Sequence, residues 1–395
     1  MALKGYKVLE LAGLAPAPFC GMILADFGAN VIRIDRCGTP NNIDVLCRGK
    51  RSISIDLKHV DGVSLIKQLS SKSDVLIEPF RPGVMEKLEL GPDELLQNNQ
   101  KLIYARLSGY GQRGPWSQRA GHDINYLALS GLLSLYGRRD SKPTPPVNFA
   151  ADFAGGGLLC AFAIVSALLK RTTSGTGCVI DSSLTNGAAY VGSWMYLSRD
   201  LDVGQQVWSG NRGENLLDSG YPLYDSYQTA DNKYIAVGAL EPQFANQFLN
   251  AIGLDLSWLQ KPRDELRSEL ERIFCRLPRS HWEELFAKTE FVDACVTPVL
   301  DIEESPMHEH NVATNAFIQL PDSHLKCSKW TPARAPNMTR VDGREVNQKL
   351  ILNKPMSGEH TIEILQEFGC DRADIDKLLH DGVIEDASYQ TQSKL

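Results

Sequence analysis

The chain lacks any uninterrupted apolar run of about eighteen residues, the length expected of a membrane-spanning helix. Its best candidate, "LLCAFAIVSALL" from Leu158 to Leu169, has 12 residues and reads as a buried helix of a soluble protein. A CxxC spacing is also missing: nine cysteines, an odd number, are scattered from Cys20 to Cys370. Free thiols in a reducing compartment are expected, with no zinc framework. Positive charge is not in excess, since 41 Lys and Arg stand against 48 Asp and Glu for a net charge of −7. That removes a general attraction for nucleic acid and leaves room only for a local basic patch facing a smaller polyphosphate. No secretory signal pattern opens the sequence, and no internal repeat or low-complexity tract interrupts it. The expectation is a soluble intracellular protein without a nucleic-acid partner or stable membrane insertion.

What is present is a chain of 395 residues, 43% apolar and 23% charged, long enough for two domains. "YKVLEL" reads as a strand, a proline-rich turn leads to a helix from about Phe19 to Phe27, and "NVIRID" is a second strand. This is a βαβ opening. "RSISIDL", "SDVLIEPF" and "KLIYARLSG" add strands, separated by the helices "DGVSLIKQLS" and "RPGVMEKL". Continuous apolar strands alternating with amphipathic helices predict an α/β fold whose mostly parallel sheet is covered on both faces. A Gly-, Asn- and Asp-rich connector from Trp208 to Tyr224 then leads to a hairpin turning at Asp231 and Asn232 and to further helices. The expected organisation is a large domain over 1–190, a linker over 191–221, a smaller α+β domain over 222–325, and a segment over 326–395 that returns to the large domain.

Asp35 closes the second strand where a ribose-binding acid sits in dinucleotide folds, but "GLAPAPFCG" places prolines where GxGxxG needs close backbone approach. The usual NAD route is excluded on that ground. In "GHDINYLALSG", His122 and Asp123 follow a turn-forming segment and precede a helix. They read either as packing and capping residues or as the edge of a site where free N–H groups hold an anion or developing oxyanion. Asp152 lies in the apolar "NFAADFAGGGLLCA", just before Gly155, Gly156 and Gly157. It is a second cap or a carboxylate whose proton affinity is set by low-dielectric surroundings. Glu241 precedes Pro242 and is a helix start or a site residue. Arg48, Lys50 and Arg51, with Arg33 and Arg36, could neutralise phosphates at the strands' carboxyl ends or be ordinary surface. His308 and His310 have no further ligand at useful spacing, so no metal is expected. Cys20 and Cys160 read as core thiols.

The ordered motifs "GLAPAPFCGMILADFGANVIRIDR", "GKRSISIDLK", "LIEPFRPGVMEKL", "LIYARLSGYGQRGP", "AGHDINYLALSG", "ADFAGGG" and "GALEPQF" span nearly the whole chain. In them the sequence resembles the family III CoA-transferases, and within these the racemases of 2-methylacyl-CoA. The resemblance implies a Rossmann-like large domain, a smaller domain and a homodimer whose subunits interlock like chain links. It implies His122 and Asp152 as the acid–base pair, Glu241 as partner of the histidine, and Asp123 as the adjoining carboxylate. CoA contacts are implied at Arg36, Ser54, Ile55, Asp56, Leu57, Arg81, Gly121, Asp123, Ile124, Asn125 and Tyr126. The implied reaction is epimerisation of branched-chain and bile-acid-type 2-methylacyl-CoA without a cofactor, CoA being part of the substrate. In related transferases the acid matching Asp152 is a nucleophile, so a CoA-transferase, or a CoA-binding protein without catalysis, are the alternatives. Met85 and Met195 read as lining an acyl path or as core. Ser393, Lys394 and Leu395 match the tripeptide read by the peroxisomal import receptor, with a mitochondrial pool as a second address.

Overall fold

The computed structural model describes residues 1–38, 44–201, 207–208, 210–320, 329–338 and 350–387. Six strands, β1 (Lys7–Leu11), β2 (Asn30–Asp35), β3 (Lys50–Ile55), β4 (Val75–Glu78), β5 (Ile103–Ser108) and β6 (Cys178–Ser183), pair in parallel in the order β3-β2-β1-β4-β5-β6. Their crossovers carry α1 (Pro16–Asp26), α2 (Val60–Ser71), α3 (Val84–Lys87), α4 (Pro92–Asn98), α5 (Asp123–Leu129) and α6 (Leu159–Ser174). Helices α7 (Leu184–Val191) and α8 (Ser193–Leu197) follow β6. Helix α1 begins at Pro16, earlier than its apolar pattern indicates, because proline's missing N–H costs nothing in a first turn. The strand order reverses between β1 and β4, and ligands of such sheets bind at the carboxyl ends beside that reversal.

The second region is an antiparallel sheet of β7 (Tyr224–Gln228), β8 (Tyr234–Gly238) and β9 (Val296–Val299), with the expected turn at Asn232 in left-handed conformation. It packs on α9 (Pro242–Ala251), α10 (Arg263–Phe274) and α11 (Arg279–Phe286) through Tyr227, Phe248, Phe274 and Trp282. After α12 (Glu309–Ala313), a ribbon of β10 (Phe317–Gln319) and β11 (Trp330–Pro332) reaches back to Arg48, whose guanidinium donates to the Pro332 carbonyl at 2.6 Å. Helices α13 (Thr361–Glu367) and α14 (Arg372–His380) bury Ile364, Phe368 and Ile375 in the core of the first sheet. The two-residue strand β12 (Ile384–Glu385) then pairs with β3 antiparallel, so the sheet is mixed, not wholly parallel. A two-residue strand has no periodicity by which a sequence could announce it.

Two expectations are corrected here. The basic cluster is not a phosphate face: Lys50 is fully buried 2.8 Å from Glu10, Arg48 pairs with Asp26 at 2.5 Å, and Arg51 grips Glu363 and Glu367 at 2.7 Å. Arg33 is buried too, donating to Asp35 at 2.8–2.9 Å, and Ser52 donates to the same carboxylate at 2.6 Å, which leaves Asp35 no free ribose-binding group. Met85 is fully buried in the core, the second of its two readings. Helix α6 is not buried all round: Phe162 is 68% and Leu169 71% exposed along one face. Residues 149–174 form one continuous helix long and apolar enough, by length and composition, to cross a membrane.

Candidate active site

The carboxyl ends of β4 and β5 lead into the segments that carry Arg81 and His122, beside the reversal of strand order. His122 is the exposed cap residue of α5, in extended conformation, and its N–H donates to Oδ1 of Asn125 at 3.0 Å. That bond holds the entry to the helix and leaves the N–H groups of Asp123 and Ile124 ahead of the helical ladder. Tyr126, nearly buried, donates from its hydroxyl to the Gly121 carbonyl at 2.5 Å, and Tyr110 packs edge-on against its ring. Burial pushes the Tyr126 phenol up to about 12, so it stays a donor.

Asp152 comes from a different element. Phe149–Leu158 is a ten-residue π-helix that runs into α6. The first-turn N–H groups of Ala151 and Asp152 find an acceptor in Asp123, whose Oδ2 takes them at 2.8 Å and 2.7 Å. Asp123 therefore caps the neighbouring helix rather than its own. Its other oxygen, Oδ1, is buried with no hydrogen-bond partner among the described residues. Burial is the largest cause that raises the Asp152 carboxyl above the usual range, and the Asp123 charge adds to it. A hydrogen bond from Nδ2 of Asn148 at 3.3 Å and the charge of His122 act in the opposite direction. His122 and Asp152 thus lie within each other's electrostatic reach, and the sequence reading missed Asn148 altogether.

The glycines after Asp152 serve close packing. A Cβ on Gly155 would stand 2.4 Å from the Ala188 nitrogen on α7, and one on Gly187 would stand 1.8 Å from the Gly155 carbonyl. Gly155→Ala is expected to force these backbones apart at a cost of about 1–3 kcal/mol, read as a lowered melting temperature. An unchanged melting temperature and activity would show that this approach is not needed.

The other expected site residues divide. Arg36 and Arg81 are exposed, Ile124 and Asn125 are exposed beside His122, and Asp56 and Leu57 are half-buried. Ser54 and Ile55 are fully buried, paired with Glu385 and Ile384 of β12. Glu241 is the exposed cap residue of α9 in the second region, where its charge acts on Cys295, and no hydrogen bond or ion pair joins it to His122 among the described residues. His308 and His310 flank the start of α12, and no group of three or more His, Cys, Asp or Glu able to hold a metal occurs among the described residues.

A mostly parallel sheet whose order reverses between β1 and β4, with a half-buried carboxyl within electrostatic reach of an imidazole, is the architecture of an α/β enzyme. Residues 3–361 match the model of CoA-transferase family III, and the chain belongs to that family. It is 46% identical over 394 residues to the alpha-methylacyl-CoA racemase of Mus musculus and 45% identical over 390 residues to that of Homo sapiens, each match covering 98% of both chains. The fold is shared with a CAIB/BAIF family protein from Brucella suis, at a TM-score of 0.74 and 24% identity over 93% of this chain and 99% of that one.

Proposed function

We propose that this protein is a cofactor-independent racemase that interconverts the (2R) and (2S) epimers of 2-methylacyl-CoA thioesters. The observation that carries the reading is that His122 and Asp152, carried by separate segments, act on each other electrostatically, with burial raising the Asp152 carboxyl above the usual range. The identity to the two racemases supports it. The thioester carbonyl acidifies the proton on carbon 2, and N–H groups at the start of α5 stabilise the enolate oxygen. His122 removes the proton from one epimer while Asp152 returns one to the opposite face; the other epimer uses the pair in reverse. Incubating each pure epimer with enzyme in D₂O, without an acceptor acid, tests this. Label at carbon 2 with epimerisation supports the reading, whereas no label, and acyl transfer once a free acid is added, would make Asp152 the nucleophile of a CoA-transferase.

A cavity of about 780 Å³ beyond the C-terminal end of α5, walled by Leu132, Leu135, Trp194, Met195, Trp208 and Leu217, suits a branched or polycyclic acyl group. At the other end, the nucleotide meets Arg36, exposed and without a partner among the described residues. Arg36→Gln is therefore expected to raise KM roughly tenfold and leave kcat nearly unchanged, as loss of a charged hydrogen bond used equally in ground and transition states requires. An equal fall in kcat would place Arg36 in the chemistry instead.

The protein acts as a homodimer in this reading. The exposed face of Leu158, Phe162, Val165 and Leu169 continues to Val179 on the edge strand β6, an apolar surface that a second copy covers. Interlocked subunits bring Glu241 to a His122, where it orients the imidazole. The domain limits stated above follow the same family plan. Ser393, Lys394 and Leu395 lie outside the described residues; they support delivery to peroxisomes, with a mitochondrial pool besides.

A further inference from the structure

Asp152 has two oxygens, and they are not equivalent. Oδ2 accepts the amide N–H of Asn148 at 3.3 Å, which leaves Oδ1 as the oxygen that can carry a proton. Behind the same turn stands Asp123, 3% exposed, its Oδ2 held by two backbone N–H groups and its Oδ1 without a donor to disperse its charge. Of the other elements packed on this helix, α7 carries Tyr190, which is exposed, and α1 carries Cys20, which is buried, and Asp26, which lies at its far end paired with Arg48; β6 carries Cys178 and Asp181, the latter accepting from the Gln112 N–H, and α6 carries Cys160 near its start and Lys170 and Arg171 in its last turns. From α5 the ionisable groups are His122, Asp123 and Tyr126, and the Tyr126 hydroxyl is already donated to Gly121.

We propose that Asn148 and Asp123 are opposed positioning residues for Asp152: Asn148 occupies Oδ2 so that the proton sits on Oδ1, and the buried Asp123 charge keeps it there until carbon 2 takes it. This rests on the acid–base reading of Asp152. In each turnover the Oδ1–H bond breaks as the new C–H bond forms, while His122 holds the proton removed from the other face, so charge and protons balance. Asn148 favours the ionised carboxylate that remains, and Asp123 favours the acid that must be restored. The two residues thereby balance Asp152 between giving and taking a proton, which a reversible epimerisation needs in equal measure.

The test is the pH dependence of C2 exchange for each epimer in the full-length enzyme, compared among wild type, Asn148→Ala and Asp123→Asn, with folding followed by circular dichroism. Asn148→Ala removes a donor to the carboxylate, and the limb due to Asp152 is expected to move up by about one pH unit, with kcat lowered and KM for the thioester unchanged. Asp123→Asn removes a neighbouring negative charge while keeping an acceptor for the two N–H groups, and the same limb is expected to move down. Shifts of one sign in both variants, or an unmoved limb in Asn148→Ala, whose half-exposed side chain can be shortened without unfolding the core, overturn the proposal. Full activity in Asp152→Asn would instead overturn the acid–base reading beneath it.

Discussion

Asp152→Asn and His122→Ala are each expected to slow epimerisation roughly 10²–10⁴-fold, the range in which a positioned acid or base contributes. Loss of rate alone would not separate a racemase from a transferase, so the informative quantity is exchange resolved by epimer. Two groups flank the reacting carbon in the proposed mechanism, and each variant retains one. Asp152→Asn should still exchange the proton of the epimer that presents it to His122, without inverting that centre; His122→Ala should do the same for the opposite epimer. The asparagine is close in size to the acid and keeps an acceptor for Asn148, so folding should be little disturbed. Intact exchange of both epimers in His122→Ala would remove the histidine from the mechanism. Loss of both in either variant would mean one group serves both faces.

The second large effect is on stability. Glu10→Gln removes the carboxylate closest to the Lys50 ammonium, leaving the Pro18 carbonyl at 2.9 Å and the Asp44 carboxylate at 3.6 Å, and about 3 kcal/mol of stability should be lost in urea denaturation. Lys50→Met is expected to behave differently because an acid can shed its charge by taking up a proton. Burial already raises Glu10 to about 7 against the opposing effect of Lys50, and without the cation it rises further. A carboxyl that holds its proton more tightly folded than unfolded stabilises fully below about 4.5 and loses that contribution as pH rises through the folded value. Wild type should show this decline between about 4.5 and about 7. The Lys50→Met deficit should be small near the acid end and grow toward alkaline pH. Equal deficits for both variants at every pH would show that the pair is not governed by burial of charge.

These residues also show where sequence reasoning reached and where it stopped. The β1-α1-β2 opening and the buried strands β3 to β5 were legible because fully buried parallel strands are written as continuous apolar runs. The charges among them were misread: "CRGKRS" looks like surface, and only the pairing of strands reveals that Lys50 meets Glu10, forty residues earlier. For the same reason α6 was expected to be buried, since composition reports that a helix is apolar but not which of its faces this chain covers. His122, Asp123 and Asp152 stood out only as polar residues beside glycines and helix starts, with packing or capping as the competing explanation; Asp123 proves to cap a helix other than its own. Asn148 had no signal, because its value depends on a π-helical turn that places its amide against the carboxyl four residues on.

The seam between β3 and β12 bears on how the chain is made. Ser54 donates from its backbone to Thr361, 307 residues later, and among the described residues β3 gains its outer neighbour from Ile384 and Glu385. During synthesis the chain passes through the whole of the second region before the strand preceding Asp56 and Leu57 can be completed. The large domain therefore cannot finish folding as an amino-terminal unit on the ribosome, and its nascent edge waits exposed for the last helices to arrive.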